Sequence, residues 1–309
     1  MRCGRTVHFH RVIEPADIPI LAAYDAAANR EGTTLYTPAE YTSMFADSGE
    51  AKTRRPAWQI LALAFLAGFF IALAGAVANT AAHAIGNDGL ARLVAGLLFP
   101  FGLIMVVLTG AELYTGDTLM AITLKEKRIT LLRMLYHWIL VFGGNAIGAL
   151  TVAIGMAYFG QMNYSNGGLA VFTIKQAVAK STMDPLNAFV LGIFCNVLVT
   201  IGILMALGAK DVTGKAVAVY IPIAFFVIAG FEHSIANLYY GPAGIMAAGI
   251  DRYATLAREA GVVIESASWS GFLTHNLLPV TAGNTLGGLI VGWLFFWCHM
   301  HYARQHASA

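Results

Sequence analysis

The chain has 309 residues, 58% of them hydrophobic and only 12% charged, with a formal net charge of +2. A soluble domain carries about 25% charged residues, so this composition is that of an integral membrane protein. The small net charge argues against nucleic acid as a partner. Three widely separated cysteines, Cys3, Cys195 and Cys298, read as buried thiols and not as a disulfide framework or a metal knuckle.

In chain order, Arg2, Arg5 and Arg11 are not followed by an uninterrupted apolar stretch, so no cleavable signal peptide is expected. Residues 1–30 look irregular and receive no assignment. Thr37-Pro38-Ala39-Glu40 reads as a helix start, with Thr as N-cap, Pro at the first helical position and Glu at the third. It predicts an amphipathic helix over 37–49 with Tyr41, Met44 and Phe45 on one face, packing at the cytoplasmic surface or covering a pore mouth. Six segments then have the length and apolarity to span a bilayer, roughly 57–79, 91–122, 131–159, 185–209, 216–249 and 268–301. The expected organisation is a cytoplasmic N-terminal segment 1–52, a transmembrane channel domain 53–301 and a short cytoplasmic tail 302–309.

Charge placement gives the orientation. One side carries Lys52, Arg54, Arg55, Lys125, Lys127, Arg128, Arg133, Lys210, Lys215 and Arg304; the other carries Arg92, Lys175, Lys180, Arg252 and Arg258. Ten against five places both termini in the cytoplasm of a multi-pass protein of the cell membrane.

The second and fifth spans are interrupted. Leu93 to Thr109 runs into Gly110-Ala111-Glu112-Leu113-Tyr114-Thr115-Gly116-Asp117, and Ala216 to Gly230 runs into Phe231-Glu232-His233-Ser234-Ile235-Ala236-Asn237. Gly110-x-Glu112 matches Gly230-x-Glu232, and Gly144-Asn145-Ala146-Ile147-Gly148 in the third span matches Gly283-Asn284-Thr285-Leu286-Gly287 in the sixth. With three spans in each half, the second half enters from the opposite side. The fold class expected is therefore all-α, an inverted 3+3 repeat with broken second and fifth helices and a binding site near the midplane. The paired glycines also permit close small-xxx-small packing.

Ionisable side chains at membrane depth mark transport paths or proton relays by default. Gly110 and Gly230 can take backbone angles that end a helix, and restarting half-helices would point free amides and a positive dipole end inward, favouring a small anion. Neighbours on a helix point about 100° apart, so His233 is assigned to the pore. Glu232 and Glu112 are assigned to bracing the breaks by accepting backbone amides. Thr115 offers a hydroxyl to the same midplane. Lys180, with no acidic neighbour in sequence nearer than Asp184, either draws anions into the mouth or snorkels to the interface. Asn196 is the strongly polar side chain of its span, suited to an interhelical hydrogen bond. Phe99, Leu103, Leu113, Tyr114 and Phe226 are candidates for apolar constrictions that stop leakage.

These residues resemble a known family, the formate/nitrite transporters. Gly110-Ala111-Glu112-Leu113-Tyr114-Thr115-Gly116 is similar to its first-loop signature and Gly230 to Asn237 to its second. Asn276-Leu277-Leu278-Pro279-Val280-Thr281-x-Gly283-Asn284 is similar to its sixth-span motif, and the likeness runs from about residue 38 to 300. The resemblance implies an aquaporin-like fold and a homopentamer with one pore per protomer. It implies passage of formate, nitrite, hydrosulfide, acetate or lactate, with or without a proton, and neither catalysis nor a cofactor. It makes His233 the central pore histidine, Thr115 the first-loop threonine, Lys180 the lysine above it and Asn196 the pore asparagine. Leu103 and Phe226 fall on the two constriction lines, with Phe99 and Tyr114 beside them. Tyr114 departs from the family's usual Phe, and Asp117 from a common Asn or His, which brings a negative charge near an anion path.

The mechanism expected is attraction of the anion by Lys180 and the loop dipoles, then protonation in the dry vestibule, where desolvation disfavours the charged form. Formate is the first choice, because Pro279 and Phe231 resemble the formate branch; Asn276-Leu277-Leu278 with Gly283-Asn284-Thr285 leans toward nitrite. A haem-bearing redox subunit using His83, His137, His233 and His275 lacks a repeated histidine pair. A neutral-solute aquaporin lacks its paired Asn-Pro-Ala boxes here. Cys298-His299-Met300-His301 reads as a helix-end cluster at the membrane interface and not as a metal site.

Overall fold

The computed structural model of the chain describes residues 35–301. The expectations on residues 1–30, on the tail 302–309 and on Cys3 and Arg304 lie outside the described residues.

The described chain is helical, and an isolated bridge between Leu35 and Ala209 supplies its extended pairing. Helix α1 (Pro38–Thr53) carries the expected capping box: Thr37 Oγ1 accepts from the Glu40 amide and Glu40 Oε2 accepts from the Thr37 amide. It runs four residues beyond 49 and is docked on the helical body. Thr42, Phe45, Ala46, Gly49 and Thr53 are buried at helical spacing. A Cβ on Gly49 would meet Thr123 Oγ1 at 2.2 Å, so α1 lies against the chain after the first break with no room for a side chain there.

The first span is α2 (Ala57–Ala82). The second is α3 (Asp88–Leu98) continued by α4 (Pro100–Thr109); after the break the chain resumes as α5 (Tyr114–Asp117) and α6 (Ala121–Lys125). The third span is α7 (Leu131–Tyr158). Next comes α8 (Gly168–Ser181), a helix between the third and fourth spans that no apolar run marks in the sequence. Its Leu169, Ala170, Thr173, Ile174 and Ala177 are buried, and a Cβ on Gly244 would meet Thr173 O at 2.4 Å. The fourth span is α9 (Pro185–Gly208), and the fifth is α10 (Val212–Ala229) resumed after its break as α11 (Ser234–Ala248). After α12 (Asp251–Glu259), the sixth span covers Trp269–His301, centred on α13 (Leu278–Phe295) with a π-helical turn at each end. By length and composition, six helices among the described residues can cross a membrane. Short polar residues start them: Asn87, Thr130, Asp184 and Asp211 each accept a first-turn amide.

The halves repeat in space as they do in sequence. Gly144 and Gly148 of α7 press on α2, where a Cβ at Gly148 would lie 2.1 Å from Phe65 O. Gly283 and Gly287 of α13 press on α9, where a Cβ at Gly283 would lie 2.1 Å from Phe189 O. The paired glycines are the close-packing positions expected of them.

The cations also separate. Lys210 stands over the Tyr36 ring, Arg128 pairs with Asp47, and Arg133 donates to Thr53 O, all at the α1 end. Arg252 donates to Asn163 and Arg258 to Glu265 at the opposite end.

Candidate functional site

The two breaks have the same backbone. Gly110 (φ +70°, ψ 25°) ends α4 and Gly230 (φ +74°, ψ 31°) ends α10, both left-handed, where a Cβ is strained. Leu113 (φ −112°, ψ 124°) and His233 (φ −113°, ψ 114°) are extended and open α5 and α11. The Glu112 amide donates to Leu63 O, six residues into α2, and the Glu232 amide to Leu191 O, six residues into α9. At 1.5 Å per residue, each break lies about 9 Å in from its own end of the bundle. The breaks therefore lie toward opposite ends of the bundle, because each is tied to the start of a different span.

The braces are asparagines. Asn145 Oδ1 accepts from the Tyr114 amide (2.9 Å), and its Nδ2 donates to Glu112 O (2.8 Å) and Ala64 O (2.7 Å). Asn284 Oδ1 accepts from the Ser234 amide (2.8 Å), and its Nδ2 donates to Glu232 O (2.9 Å) and Gly192 O (2.8 Å). Side-chain amides can serve a broken backbone this way because each offers a donor and an acceptor. A carboxylate offers acceptors only. The assignment of Glu112 and Glu232 to the loop amides is thus corrected, and so is the picture of unclaimed helix-start amides. Asn145 takes Tyr114 N, Asn284 takes Ser234 N, and the His233 ring takes Ala236 N.

Both glutamates instead hold lysines. Lys180 Nζ donates to both oxygens of Glu232 at 2.7 Å, and Glu232 Oε2 also accepts from Asn237 Nδ2 (2.8 Å) and Asn276 Nδ2 (3.0 Å). Lys180 lacks an acidic neighbour in sequence but has one in space, Glu232. At the other end, Lys52 Nζ lies 2.7 Å from Glu112 Oε2 and 2.7 Å from Asp117 Oδ1, and Arg55 pairs with Glu112. Asp117 Oδ2 meets His137 Nε2 at 3.2 Å. Burial disfavours the charge on Lys52, but the Asp117 and Glu112 carboxylates outweigh it and hold the ammonium above its ordinary pKa. The donor atoms of Glu112, Asp117 and His137 lie within 4.8 Å of one another, and the Lys52 ammonium already supplies the positive charge among them.

The four members of one cluster map on the four of the other. Lys52 stands twelve residues before Ala64 (64 − 52) and Lys180 twelve before Gly192 (192 − 180). Asp117 follows Glu112 by five as Asn237 follows Glu232, and His137 precedes Asn145 by eight as Asn276 precedes Asn284. Lys52, Arg55, His137 and both bracing asparagines were missed in the sequence. Extending the matched Gly-Asn motifs outward at constant spacing finds His137, eight residues before Asn145 as Asn276 is before Asn284, but not Lys52 or Arg55.

Between the clusters the halves meet. Thr115 Oγ1 lies 3.0 Å from His233 Nε2, both residues buried. His233 Nδ1 accepts from the Ala236 amide at 3.1 Å, so in the neutral ring the proton sits on Nε2 and is donated to Thr115. The Thr115 hydroxyl proton is then left to donate elsewhere. Asn196 Nδ2 donates to Thr115 O (3.2 Å), Thr118 Oγ1 (3.0 Å) and Asn284 O, which ties this centre to α9 and α13. Asn196 Oδ1 and Ser234 Oγ are buried there without a partner among the described residues.

The five apolar candidates divide. Phe226 stacks on the His233 ring at 5.8 Å and meets Phe99 edge-on at 5.8 Å, with Leu103 buried in the same core. Leu113 and Tyr114 belong to the first break. Tyr114 packs edge-on to Phe142 (5.1 Å), and its hydroxyl reaches Thr285 Oγ1 at 2.8 Å. Thr285 donates to Thr281 O, so the phenol is the donor in that contact.

The formate/nitrite transporter model matches residues 39–298. The chain belongs to the formate/nitrite transporter family. It is 34% identical over 261 residues to a formate channel FocA of Haemophilus influenzae, covering 82% of this chain and 91% of that one. It is 32% identical over 276 residues to the formate channel FocA of Escherichia coli, covering 88% and 96%. A solved pentameric formate channel with formate bound superposes with a TM-score of 0.69 at 30% identity, covering 78% of this chain and 96% of that one. The fold expected from the sequence, an all-helical six-span membrane protein of the formate-channel type, is borne out. As a member of this family the chain is a membrane transport protein and not an enzyme.

Proposed function

We propose that this protein is a homopentameric channel passing small monovalent anions of weak acids, formate first among them, together with a proton. One observation carries the reading: two Lys–Glu clusters, Lys180–Glu232 and Lys52–Glu112, each a half-buried lysine on a buried carboxylate, face the ends of the bundle on either side of a neutral centre made by Thr115 and His233. Each lysine attracts an anion while its glutamate keeps the resting charge low. Beyond it the anion loses water among Phe99, Leu103 and Phe226, where the charged form is disfavoured and the neutral acid crosses. Thr115 donates to the acid from its free hydroxyl proton, and Asn196 holds the Thr115 carbonyl. Leu113 and Tyr114 narrow the α1 side. Relatives that are formate channels support formate as substrate, and the pentameric neighbour supports the assembly. The excess of lysine and arginine at the α1 end supports a cytoplasmic position for both termini, with α1 over the inner mouth.

The test is flux of formate, nitrite, hydrosulfide, acetate and lactate into proteoliposomes at several pH values. Formate should move fastest and carry alkalinisation of the outer medium with it. Lys180→Ala should lower formate flux at least tenfold, a loss of about 1.4 kcal/mol in barrier terms. Wild-type flux in Lys180→Ala removes the lysine from the path, and no formate flux in the wild type removes the reading.

A further inference from the structure

The internal repeat supplies its own comparison for the α1-side cluster. In the Lys180 cluster, the two side chains that complete the set are amides, Asn237 and Asn276, and both donate to Glu232. Their counterparts on the α1 side, at the same spacings, are Asp117 and His137. The Lys180 cluster therefore holds one cation and one carboxylate. The α1-side cluster holds Lys52 and Arg55 against Glu112 and Asp117, with His137, charged only if protonated, as a fifth member. Both sum to zero when His137 is neutral.

We propose that the Asp117–His137 pair makes the α1-side anion attractor titratable, so that this end of the channel, and not the Lys180 end, strengthens its hold on the anion as pH falls. A proton from vestibule water binds His137 Nδ1, which is buried with no partner among the described residues. The imidazolium then donates through Nε2 to Asp117 and takes over part of that carboxylate's charge. Lys52 Nζ, 2.7 Å from the same carboxylate and 2.7 Å from Glu112 Oε2, is then less fully neutralised, and the cluster gains one positive charge. The proton returns to water when pH rises.

The charged groups around the pair are Lys52 from α1, Arg55 before α2, and Glu112 beside Asp117 at the break. On α7 itself Arg133 is turned to Thr53 O. On α6, Lys125 stands over the Trp293 ring. Helices α11 and α9 bring only the phenols of Tyr239 and Tyr240 and the Cys195 thiol, and α13 has no ionisable side chain. The pair touches Lys52 and not the solute, so its members are positioning residues.

This inference rests on the transport reading above, and the experiment separates the two. Asp117→Asn/His137→Asn gives the α1 side the amide pattern that the Lys180 side already folds with. The KM for formate is measured at equal pH on both sides of the membrane, across the range in which a histidine titrates, about pH 5 to 8. Wild-type KM should fall about tenfold toward low pH beyond the change in the double variant, with kcat moving in parallel in both; one pKa unit of coupling corresponds to that factor. In wild type, the ¹⁵N signal of His137, assigned by its loss in His137→Asn, should titrate in the same range and shift in Asp117→Asn. Identical KM profiles in wild type and double variant overturn the proposal and leave the transport reading standing. So does a His137 signal that does not titrate, a result obtainable even where the double variant fails to assemble. Absence of formate flux in the wild type overturns both.

Discussion

Removing the Asn284 side chain is the sharpest test of how the second break is held. In Asn284→Ala, the Ser234 amide loses its acceptor, and Glu232 O and Gly192 O lose their donor. The three losses are unequal. Gly192 O belongs to α9 and keeps its helical partner. Ser234 N stands in the first turn of α11, where no intrahelical acceptor exists, and Glu232 O sits in the extended segment before it. Two buried groups are thus left unpaired at about 1–3 kcal/mol each, or about 2–6 kcal/mol in all. Against a total stability of about 5–15 kcal/mol this is a large fraction. Melting of the detergent-purified oligomer, followed by tryptophan fluorescence and by loss of the oligomer peak on size exclusion, should show a transition lowered by many degrees. Asn145→Ala should do the same, because it strands Tyr114 N and Glu112 O in the same manner. Asn284→Asp should be no better than Ala, since a carboxylate keeps the acceptor but faces two carbonyls with no donor. Melting within about 0.5 kcal/mol of wild type, the usual effect of a surface substitution, would refute the asparagine brace.

Two further substitutions separate effects that the structure superimposes. Gly110→Ala and Gly230→Ala both force a side chain into left-handed backbone at about 1–2 kcal/mol. Only at Gly230 must a neighbour, the Arg92 guanidinium, also move, so Gly230→Ala should melt lower, and equal melting would show that Arg92 yields freely. His233→Ala removes both the Ala236 cap and the ring over Phe226, whereas His233→Asn keeps a capping acceptor. Stability should recover by about 1 kcal/mol in the Asn variant, while formate flux in both variants departs from wild type. Equal melting of the two would remove the capping role.

Much of the architecture is legible in the sequence, because a lipid-facing backbone leaves few choices. Six apolar segments must be helices, and the paired Gly-x-Glu and Gly-Asn motifs mark an inverted repeat. The docked helix α8 was hidden for the opposite reason. It packs against α11 with small and mixed residues such as Ala170, Thr173 and Ala177, which give no long apolar run. The glutamates were recognised as structural, but their partners were misplaced. Which donor a buried carboxylate meets depends on contacts across long stretches of chain, such as Glu112 with Lys52 and Glu232 with Lys180.

The sequence by itself determined the membrane class, the six spans and the two breaks, and it pointed to Thr115 and His233, since hydropathy, turn chemistry and motif are local properties. Only the tertiary structure decided that the breaks lie to either side of the centre and that asparagines hold them. It alone paired the lysines with the glutamates and brought Asp117 to His137. Each of those facts is a distance between segments far apart in the chain, set by which helix faces pack together and invisible to any window along the sequence.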